Sequence, residues 1–403
     1  MNLLSIAVAL SLVVSLWATP QESTSEYSSY DDPYIPPPGE TNESPNPLLD
    51  DRLFRLGIRL LGENSETTVM SPFAVAFALE VFSLGCDSET RKNLSENAFG
   101  SSDEGVVLDY FGKSVGFFAN TSTKFQSAVF IDNSKEPLSE GFLAPLTESL
   151  NTTVRKVGFA SSLEAARERI NDFYGKELYP RGSIDATTRF AFASSMTTEA
   201  RWGEENVFLS IHTEPRPFHG EEGVRPVESM FSDIVTFRHF QDSRMQLATV
   251  DLDDYNLNVF FLLPHRNVSL ADLKAHLLSP QSEFKFGQTE STRKSLKFQV
   301  PTISIRNERF HVKQLLSALG LRDGRLDLTR ISENHDGTPT FVADFYQNIF
   351  FKLNEEGVSA SVSLFWPTSR LSAHALQESF VIDRPFLFGI AHSTIPLFVG
   401  QFY

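Results

Sequence analysis

The chain contains one short motif that is typical of a nucleophilic enzyme site, the G-x-S-x-G pattern Gly112-Lys113-Ser114-Val115-Gly116. Such a serine attacks acyl groups only when it follows a strand at a sharp turn and has Asp and His partners later in the chain. Here the surrounding residues, 106–118, have a helical apolar pattern. The sequence therefore predicts a helix at this point, and we expect no enzyme activity.

Metal, phosphate and nucleic-acid chemistry lack suitable motifs. The nine histidines are scattered without an HExxH pair, there is no glycine-rich phosphate loop, and the formal net charge is -16 at pH 7. The single cysteine, Cys86, lies in the apolar stretch VFSLGC, which favours a buried small hydrophobic residue over a reactive thiol. We expect no metal site, no required cofactor and no nucleic-acid partner.

The most unusual stretch is residues 354–385, NEEGVSASVSLFWPTSRLSAHALQESFVIDRP. Its first half alternates, with apolar residues on one face at Val358, Ala360, Val362 and Leu364 and serines on the other. This period predicts a half-buried β-strand. Residues 367–378 are polar and without periodicity, which predicts an exposed loop. Because no turn signal separates the two, we interpret the first half as a strand whose partner becomes available later.

The remaining elements indicate an α+β fold in a single domain. Helical spacing or helix signals mark residues 53–61, 72–85, 106–118 and 163–178; strand patterns mark 127–131, 247–251, 257–263, 296–305 and 348–353. Helices prevail in the first half and strands in the second, without a βαβ rhythm or an internal repeat.

The N-terminus predicts a secreted protein. An apolar run over residues 3–17 is too short to span a bilayer and is followed by small and polar residues, so residues 1–18 are interpreted as a signal peptide. No other stretch is apolar enough to cross a membrane. Five Asn-x-Ser/Thr sites are candidate glycosylation positions in an extracellular chain: Asn42, Asn93, Asn120, Asn151 and Asn267.

Residues 19–48 form an acidic, Pro/Ser/Tyr-rich segment that predicts a disordered arm before a folded domain over 49–403. Eight acidic residues, up to Asp50 and Asp51, precede Arg52 and are assigned to this arm. The arm either keeps the chain soluble or docks on a basic patch of a partner or of the body. Sulphation would strengthen such docking; the candidate tyrosines are Tyr27, Tyr30 and Tyr34.

From about residue 53 to the end, the chain resembles the serpin family. The matching segments are Val69-Met70-Ser71-Pro72, Ile170-Asn171-Asp172-Phe173, Arg201-Trp202, Phe261-Leu262-Leu263-Pro264, Asn354-Glu355-Glu356-Gly357, Asp383-Arg384-Pro385-Phe386-Leu387-Phe388 and Pro396-Leu397-Phe398-Val399-Gly400. The resemblance implies a single domain of helices and three β-sheets with an exposed reactive-centre loop. It also implies a monomeric suicide-substrate inhibitor of an extracellular serine protease.

In that mechanism the protease cleaves the loop, and the freed hinge inserts into the main sheet with the acylated protease attached. The implied hinge is Glu355, Glu356, Gly357, Val358, Ala360, Val362 and Leu364. The implied shutter and breach residues, which control sheet opening, are Ser71, Pro72, Ser194, Trp202 and Gln347. Ser194 and Gln347 stand where the family usually has asparagine and histidine.

Family spacing from Gly357 places the bait bond at Leu371-Ser372, with Arg370-Leu371 as the alternative. Leucine before the bond suits a chymotrypsin-like pocket, and arginine suits a trypsin-like pocket that holds a carboxylate.

Two family members suggest further alternatives. The segment from Asp31 to Pro38 resembles the peptide-hormone region of angiotensinogen, a non-inhibitory serpin, so release of an N-terminal peptide is the alternative function. The acidic arm together with a Leu-Ser bond resembles heparin cofactor II, which implies a thrombin-like target and a heparin-like activator. Candidate polyanion-binding residues are Arg293, Lys294 and Lys297.

Overall fold

A computed structural model describes most of the chain between residues 44 and 403. The described residues are 44–101, 103–119, 121–133, 138–159, 161–174, 188, 190–204, 206–254, 256–307, 328–331, 349–358 and 378–403. All of them belong to one compact unit, which spans residues 33–403.

The helices of the described ranges are concentrated before residue 175. They are α1 (Pro47–Leu61), α2 (Pro72–Gly85), α3 (Ser88–Phe99), α4 (Glu104–Phe118), α5 (Glu140–Ala144), α6 (Leu163–Tyr174) and α7 (Leu270–Leu278). Helix α2 begins with Ser71, whose Oγ accepts a hydrogen bond from the Ala74 N–H, and with Pro72 in the first turn. These signals explain why α2 matches its predicted bounds.

The strands of the described residues form three sheets. The largest is ordered β1 (Thr68–Met70), β16 (Ile395–Phe402), β15 (Phe386–His392), β9 (Leu257–Pro264), β8 (Met245–Asp251), β7 (Gly223–Gln241), β10 (Thr292–Pro301) and β14 (Ser379–Val381), with β6 (Glu214–Gly220) also on β7. The second is ordered β11 (Ile303–Asn307), β12 (Ile349–Asn354), β13 (Gly357–Val358) and β5 (Ala200–Arg201). The third is ordered β3 (Thr153–Val157), β2 (Thr123–Asp132) and β4 (Phe190–Thr198).

The main core lies around α2, all of whose residues are buried. Phe73 and Phe77 make edge-on ring contacts with aromatic residues of α4 and β2; the centroid of Phe77, for example, lies 5.7 Å from that of Phe111. Cys86 is fully buried, and its Sγ lies 3.4 Å from Phe82 O. The predicted α+β class and the burial of Cys86 are confirmed.

The G-x-S-x-G motif lies inside α4, as the helical pattern predicted. Ser114 is fully buried, and its Oγ donates to Tyr110 O at 2.8 Å within the helix. A serine held in this way has neither the sharp turn nor the exposure of a nucleophile elbow.

Two sequence predictions about local structure were wrong. Residues 296–305 do not form one strand, because pairing with β7 ends at Pro301 and β11 starts at Ile303 in a different sheet. The apolar run continued across this break and concealed it. The first helix begins at Pro47 rather than at residue 53, because Asn46 caps it by accepting from the Leu48 and Leu49 N–H groups.

Asp50 and Asp51 were also wrongly assigned to the mobile arm. Both lie buried in α1. Asp50 accepts hydrogen bonds from Tyr110 Oη at 2.7 Å and from Thr394 Oγ1 at 2.5 Å. Asp51 pairs with Arg55 at 2.7 Å. Six of the eight acidic residues therefore remain candidates for the arm.

Candidate functional site

The short strand β13 joins two segments that are distant in the sequence. Gly357 pairs with Asn354 of β12 and with Arg201 of β5, and Val358 pairs with Leu353 and Ala200 in the same way. Both ladders are antiparallel. Residues 357 and 358 therefore lie between β12 on one side and the segment that follows β4 on the other.

Gly357 fits this position because it has no side chain. Its φ is 125°, which L-residues rarely adopt. A Cβ added here would lie 2.4 Å from Ala200 O and 2.6 Å from Arg201 Cα. The backbone atoms of β5 thus require glycine where β13 starts.

Val358 directs its side chain into the main core. It is 3% exposed and belongs to the same apolar cluster as Ala200, Trp202 and Leu353. The first residue of the predicted alternating pattern is therefore on the buried face. Ala360, Val362 and Leu364, which share its face by period, lie outside the described residues.

A cluster of side chains holds the turn that leads into β13. The Trp202 Nε1–H donates to Asn354 O at 2.8 Å, and the Trp202 ring packs on Phe208 with 5.0 Å between centroids. The Thr213 hydroxyl donates to the Glu355 carboxylate. The hinge thus contacts residues that are about 140 to 150 positions earlier in the chain.

Trp202→Phe is expected to loosen this turn, because phenylalanine keeps a ring against Phe208 but cannot donate to Asn354 O. We expect a loss of about 1 kcal/mol in the free energy of unfolding and faster hydrogen exchange of the backbone amides at 353–358. Urea titration and exchange mass spectrometry measure the two effects. Unchanged exchange at 353–358 would show that this hydrogen bond does not hold the hinge.

Strand β13 is paired with β12 and β5, and β5 directly follows β4 in the chain. Strand β4 pairs with β2 over residues 190–198, and β12 pairs with β11 over residues 349–353. Helix α6 covers the outer face of the three-stranded sheet, where Ala166 and Ile170 belong to the same apolar cluster as Phe130 of β2 and Ala191 of β4.

The structure describes all of the predicted shutter and breach residues except Gln347. Ser71 Oγ donates to Leu397 O at 2.8 Å and lies 4.0 Å from Met196 Sδ, so the start of α2 contacts both β16 and β4. Ser194 pairs with Ser127 of β2 and is half-buried. Gln347 lies outside the described residues.

Several other predicted site residues also fall outside the described ranges. They are Arg370, Leu371 and Ser372 of the bait region, Asn42 and Asn120 among the glycosylation sites, and Tyr27, Tyr30 and Tyr34, together with the segment from Asp31 to Pro38. The remaining candidate glycosylation residues, Asn93, Asn151 and Asn267, are exposed.

The three candidate polyanion-binding residues do not share one face of β10. Lys294 is paired with Phe237, a core residue, whereas Arg293 is paired with Arg238. Paired residues of an antiparallel ladder project to the same side, and neighbours along a strand alternate. Arg293 and Lys297 therefore lie on one face and Lys294 on the other.

Sequence reasoning missed Thr213 as a hinge partner and Ala200-Arg201 as the segment that receives β13. No local pattern distinguishes either from an ordinary surface residue. Within the described ranges, no group of three or more His, Cys, Asp and Glu residues is placed to hold a metal ion. The helices in those ranges do not combine the length and hydropathy needed to cross a bilayer.

Comparison with known proteins identifies the family. A model described as "Serpin (serine protease inhibitor)" matches residues 53–403, so the chain belongs to the serpin family. It is 26% identical over 366 residues to Serpin-ZXA of Oryza sativa subsp. japonica, covering 84% of this chain and 90% of that protein. It is also 26% identical over 355 residues to plasminogen activator inhibitor 1 of Neovison vison, covering 83% and 86%.

Solved structures show the same fold. The thermophilic serpin Tengpin in its native state superposes with a TM-score of 0.74 at 17% identity, covering 90% of this chain and 95% of Tengpin. Cleaved Serpin 42Da superposes with a TM-score of 0.73 at 17% identity, covering 89% and 98%. Because a native and a cleaved serpin are about equally similar, the superpositions identify the fold and not the state of the loop.

Proposed function

We propose that this chain is a secreted serpin that inhibits a serine protease by inserting its cleaved loop into its own sheet. The observation that carries the proposal is the position of Gly357 and Val358 between β12 and β5. Similar proteins include two whose names state inhibition, plasminogen activator inhibitor 1 and leukocyte elastase inhibitor. In this role the chain is a substrate trap and not a catalyst.

The proposed insertion continues a strand that has already begun. In the acylation step the protease serine oxygen bonds to the carbonyl carbon of the bait residue, the peptide C–N bond breaks, and the amine of the next residue leaves with a proton. Residues from 359 onward are then free to extend β13 between β4 and β12. Alternation places Ala360, Val362 and Leu364 on the buried face of Val358. Burial of Val362 and of Leu364 contributes roughly 1.5 to 3 kcal/mol each to the inserted state, and burial of the smaller Ala360 contributes less.

The proposed bait bond is Leu371-Ser372, with Arg370-Leu371 as the alternative. Incubation with trypsin and with chymotrypsin, followed by denaturing electrophoresis and N-terminal sequencing of the released peptide, tests the function and the bond together. We expect a detergent-stable complex with one class of protease. Leu371→Ala and Arg370→Ala form a matched pair, since only the variant at the true bait residue changes which protease is captured. A cleaved, uncomplexed chain with every protease tried would contradict the inhibitor proposal.

Secretion and glycosylation are part of the same proposal. Residues 1–18 act as the signal peptide, and Asn93, Asn151 and Asn267 are exposed where an attached glycan meets solvent. Asn151 is in the left-handed region with φ 49°, a conformation that asparagine tolerates better than most residues.

We also propose that a polyanion such as heparin contacts the outer face of β10 and displaces the acidic arm, which is the part of residues 19–48 that precedes α1. Arg293 and Lys297 share that face. We expect Arg293→Ala and Lys297→Ala to lower the salt concentration that elutes the protein from immobilised heparin. Each variant makes one sulphate contact fewer, so its binding releases fewer counterions. Lys294→Ala, on the opposite face, is the matched control. An equal shift for all three variants, or none, would contradict this surface.

A further inference from the structure

Helix α2 carries a carboxylate in the middle of its buried length. Glu80 is only 2% exposed, because α2 is packed against α1, α3, α4, α5, β4 and β16. A buried carboxylate requires compensation from charge or hydrogen bonds. The neighbouring core residues from α1, α5, β4 and β16, such as Leu53, Phe142, Phe192 and Leu397, are apolar.

The charged groups that act on Glu80 come from α3 and α4. Arg91 Nη2 lies 3.9 Å from Glu80 Oε1, and Arg91 Nη1 lies 2.9 Å from Glu104 Oε2. Arg91 therefore pairs more closely with Glu104 than with Glu80. Ser83 Oγ, on α2 itself, lies 3.2 Å from Glu80 Oε2.

Three buried polar atoms of α2 and α3 have no hydrogen-bond partner in the described structure. They are Glu80 Oε1, Arg91 Nε and Ser95 Oγ. Arg91 and Ser95 are four residues apart on α3, so their side chains lie on one face of that helix. An internal water typically makes about three hydrogen bonds to such groups. Arg91 Nε and Ser95 Oγ on α3, together with Glu80 Oε1 on α2, provide three such groups.

We propose that the interface between α2 and α3 holds one internal water between Glu80, Arg91 and Ser95, and that Glu80 is the group that gains and loses a proton at this water. Burial raises the pKa of Glu80 from 4.5 to about 7, with Arg91 opposing the rise and Glu104 adding to it. A protonated Glu80 can donate its proton to the water, and an ionised Glu80 must rely on Arg91 alone for charge compensation.

The sign of the pH effect follows from linkage. Because the folded pKa is above the unfolded one, the contribution of Glu80 to stability is fully present below about pH 4.5 and is lost as the pH rises through about 7. His392 acts in the opposite direction, since burial lowers its pKa and its contribution is lost as the pH falls below 6.5. A comparison of variants that both retain His392 cancels its effect.

The test compares urea unfolding of the unsubstituted chain with Glu80→Gln between pH 5 and pH 8. Glutamine has the same shape but cannot ionise, so only the unsubstituted chain should lose the contribution of Glu80 as the pH rises. We therefore expect the ratio of the unfolding equilibrium constant of Glu80→Gln to that of the unsubstituted chain to fall roughly 10- to 100-fold between pH 5 and pH 8. Glu96→Gln, on the exposed face of α3, is the matched control and should keep the original pH profile. A profile unchanged by Glu80→Gln would overturn the proton site.

Two further measurements examine the site directly. Infrared spectroscopy at pH 6 should show a protonated carboxylic acid band that Glu80→Gln removes, and a crystal structure at that pH should show a water within hydrogen-bond distance of all three atoms. Absence of the band, or a direct contact between Glu80 and Arg91 without the water, would contradict the proposal. Ser95 completes the sequon of Asn93, so any Ser95→Ala comparison should use unglycosylated protein.

Discussion

Val358→Arg is expected to convert the chain from an inhibitor into a substrate. Val358 is 3% exposed in the main core, so arginine at this position places a charge among Ala200, Trp202 and Leu353. Burying an uncompensated charge costs several kcal/mol. Loop insertion competes with hydrolysis of the acyl ester. Each increase of about 1.4 kcal/mol in the barrier to insertion, relative to the barrier to hydrolysis, lowers the ratio of the two rates about tenfold. We therefore expect the number of chains consumed per inhibited protease to rise at least about tenfold.

The measurement is a titration of active protease with the variant, followed by denaturing electrophoresis. The expected products are a cleaved chain and active protease in place of the complex. Val358→Thr, which keeps the branched shape without a charge, is the control and should retain most of the complex. If Val358→Arg formed the complex as efficiently as the unsubstituted chain, Val358 would have no part in insertion.

Gly357→Ala is expected to displace β13 from its place beside β5. The added Cβ would lie 2.4 Å from Ala200 O, and the φ of 125° disfavours any L-residue. The backbone strain alone costs about 1 to 2 kcal/mol, and the close backbone contact adds to it. We expect faster proteolysis at the hinge and less protease complex, since the same glycine must fit in the inserted state.

Glu356→Ala provides the matched control, because Glu356 is the exposed neighbour of Gly357 and its replacement adds no atoms beside β5. Limited proteolysis with a protease of broad specificity, together with complex formation, reports the two expected effects. Gly357→Ala with an unchanged hinge cleavage rate and unchanged complex would show that β13 tolerates a side chain and is not fixed by β5.

Local signals made much of the fold predictable. Ser71, Pro72 and Gly85 marked the ends of α2, and the structure gives the same helix. The alternation that starts at Val358 likewise indicated the buried face on which the structure places this residue. Capping and period depend on residues that are neighbours in the sequence, which is why they could be recognised without the fold.

Long-range contacts were not predictable from the same patterns. Ala200 and Arg201 pair with Gly357 and Val358 across more than 150 residues, and Thr213 contacts Glu355 across 142. Charged residues were misleading where the fold buries them: Asp50 was assigned to a mobile arm because the sequence around it is acidic, but Tyr110 and Thr394 satisfy it inside the domain. Hydrogen-bond partners of this kind become visible only after the chain has folded.

Hydrogen exchange before and after loop cleavage tests the central claim most directly. The amides of β4, residues 190–198, and of β12, residues 349–354, flank the path along which β13 would extend. The account predicts that cleavage at the bait bond increases protection on both strands, because the inserted segment pairs with each. Unchanged exchange on β4 and β12, with the cleaved loop still open to proteases, would contradict insertion.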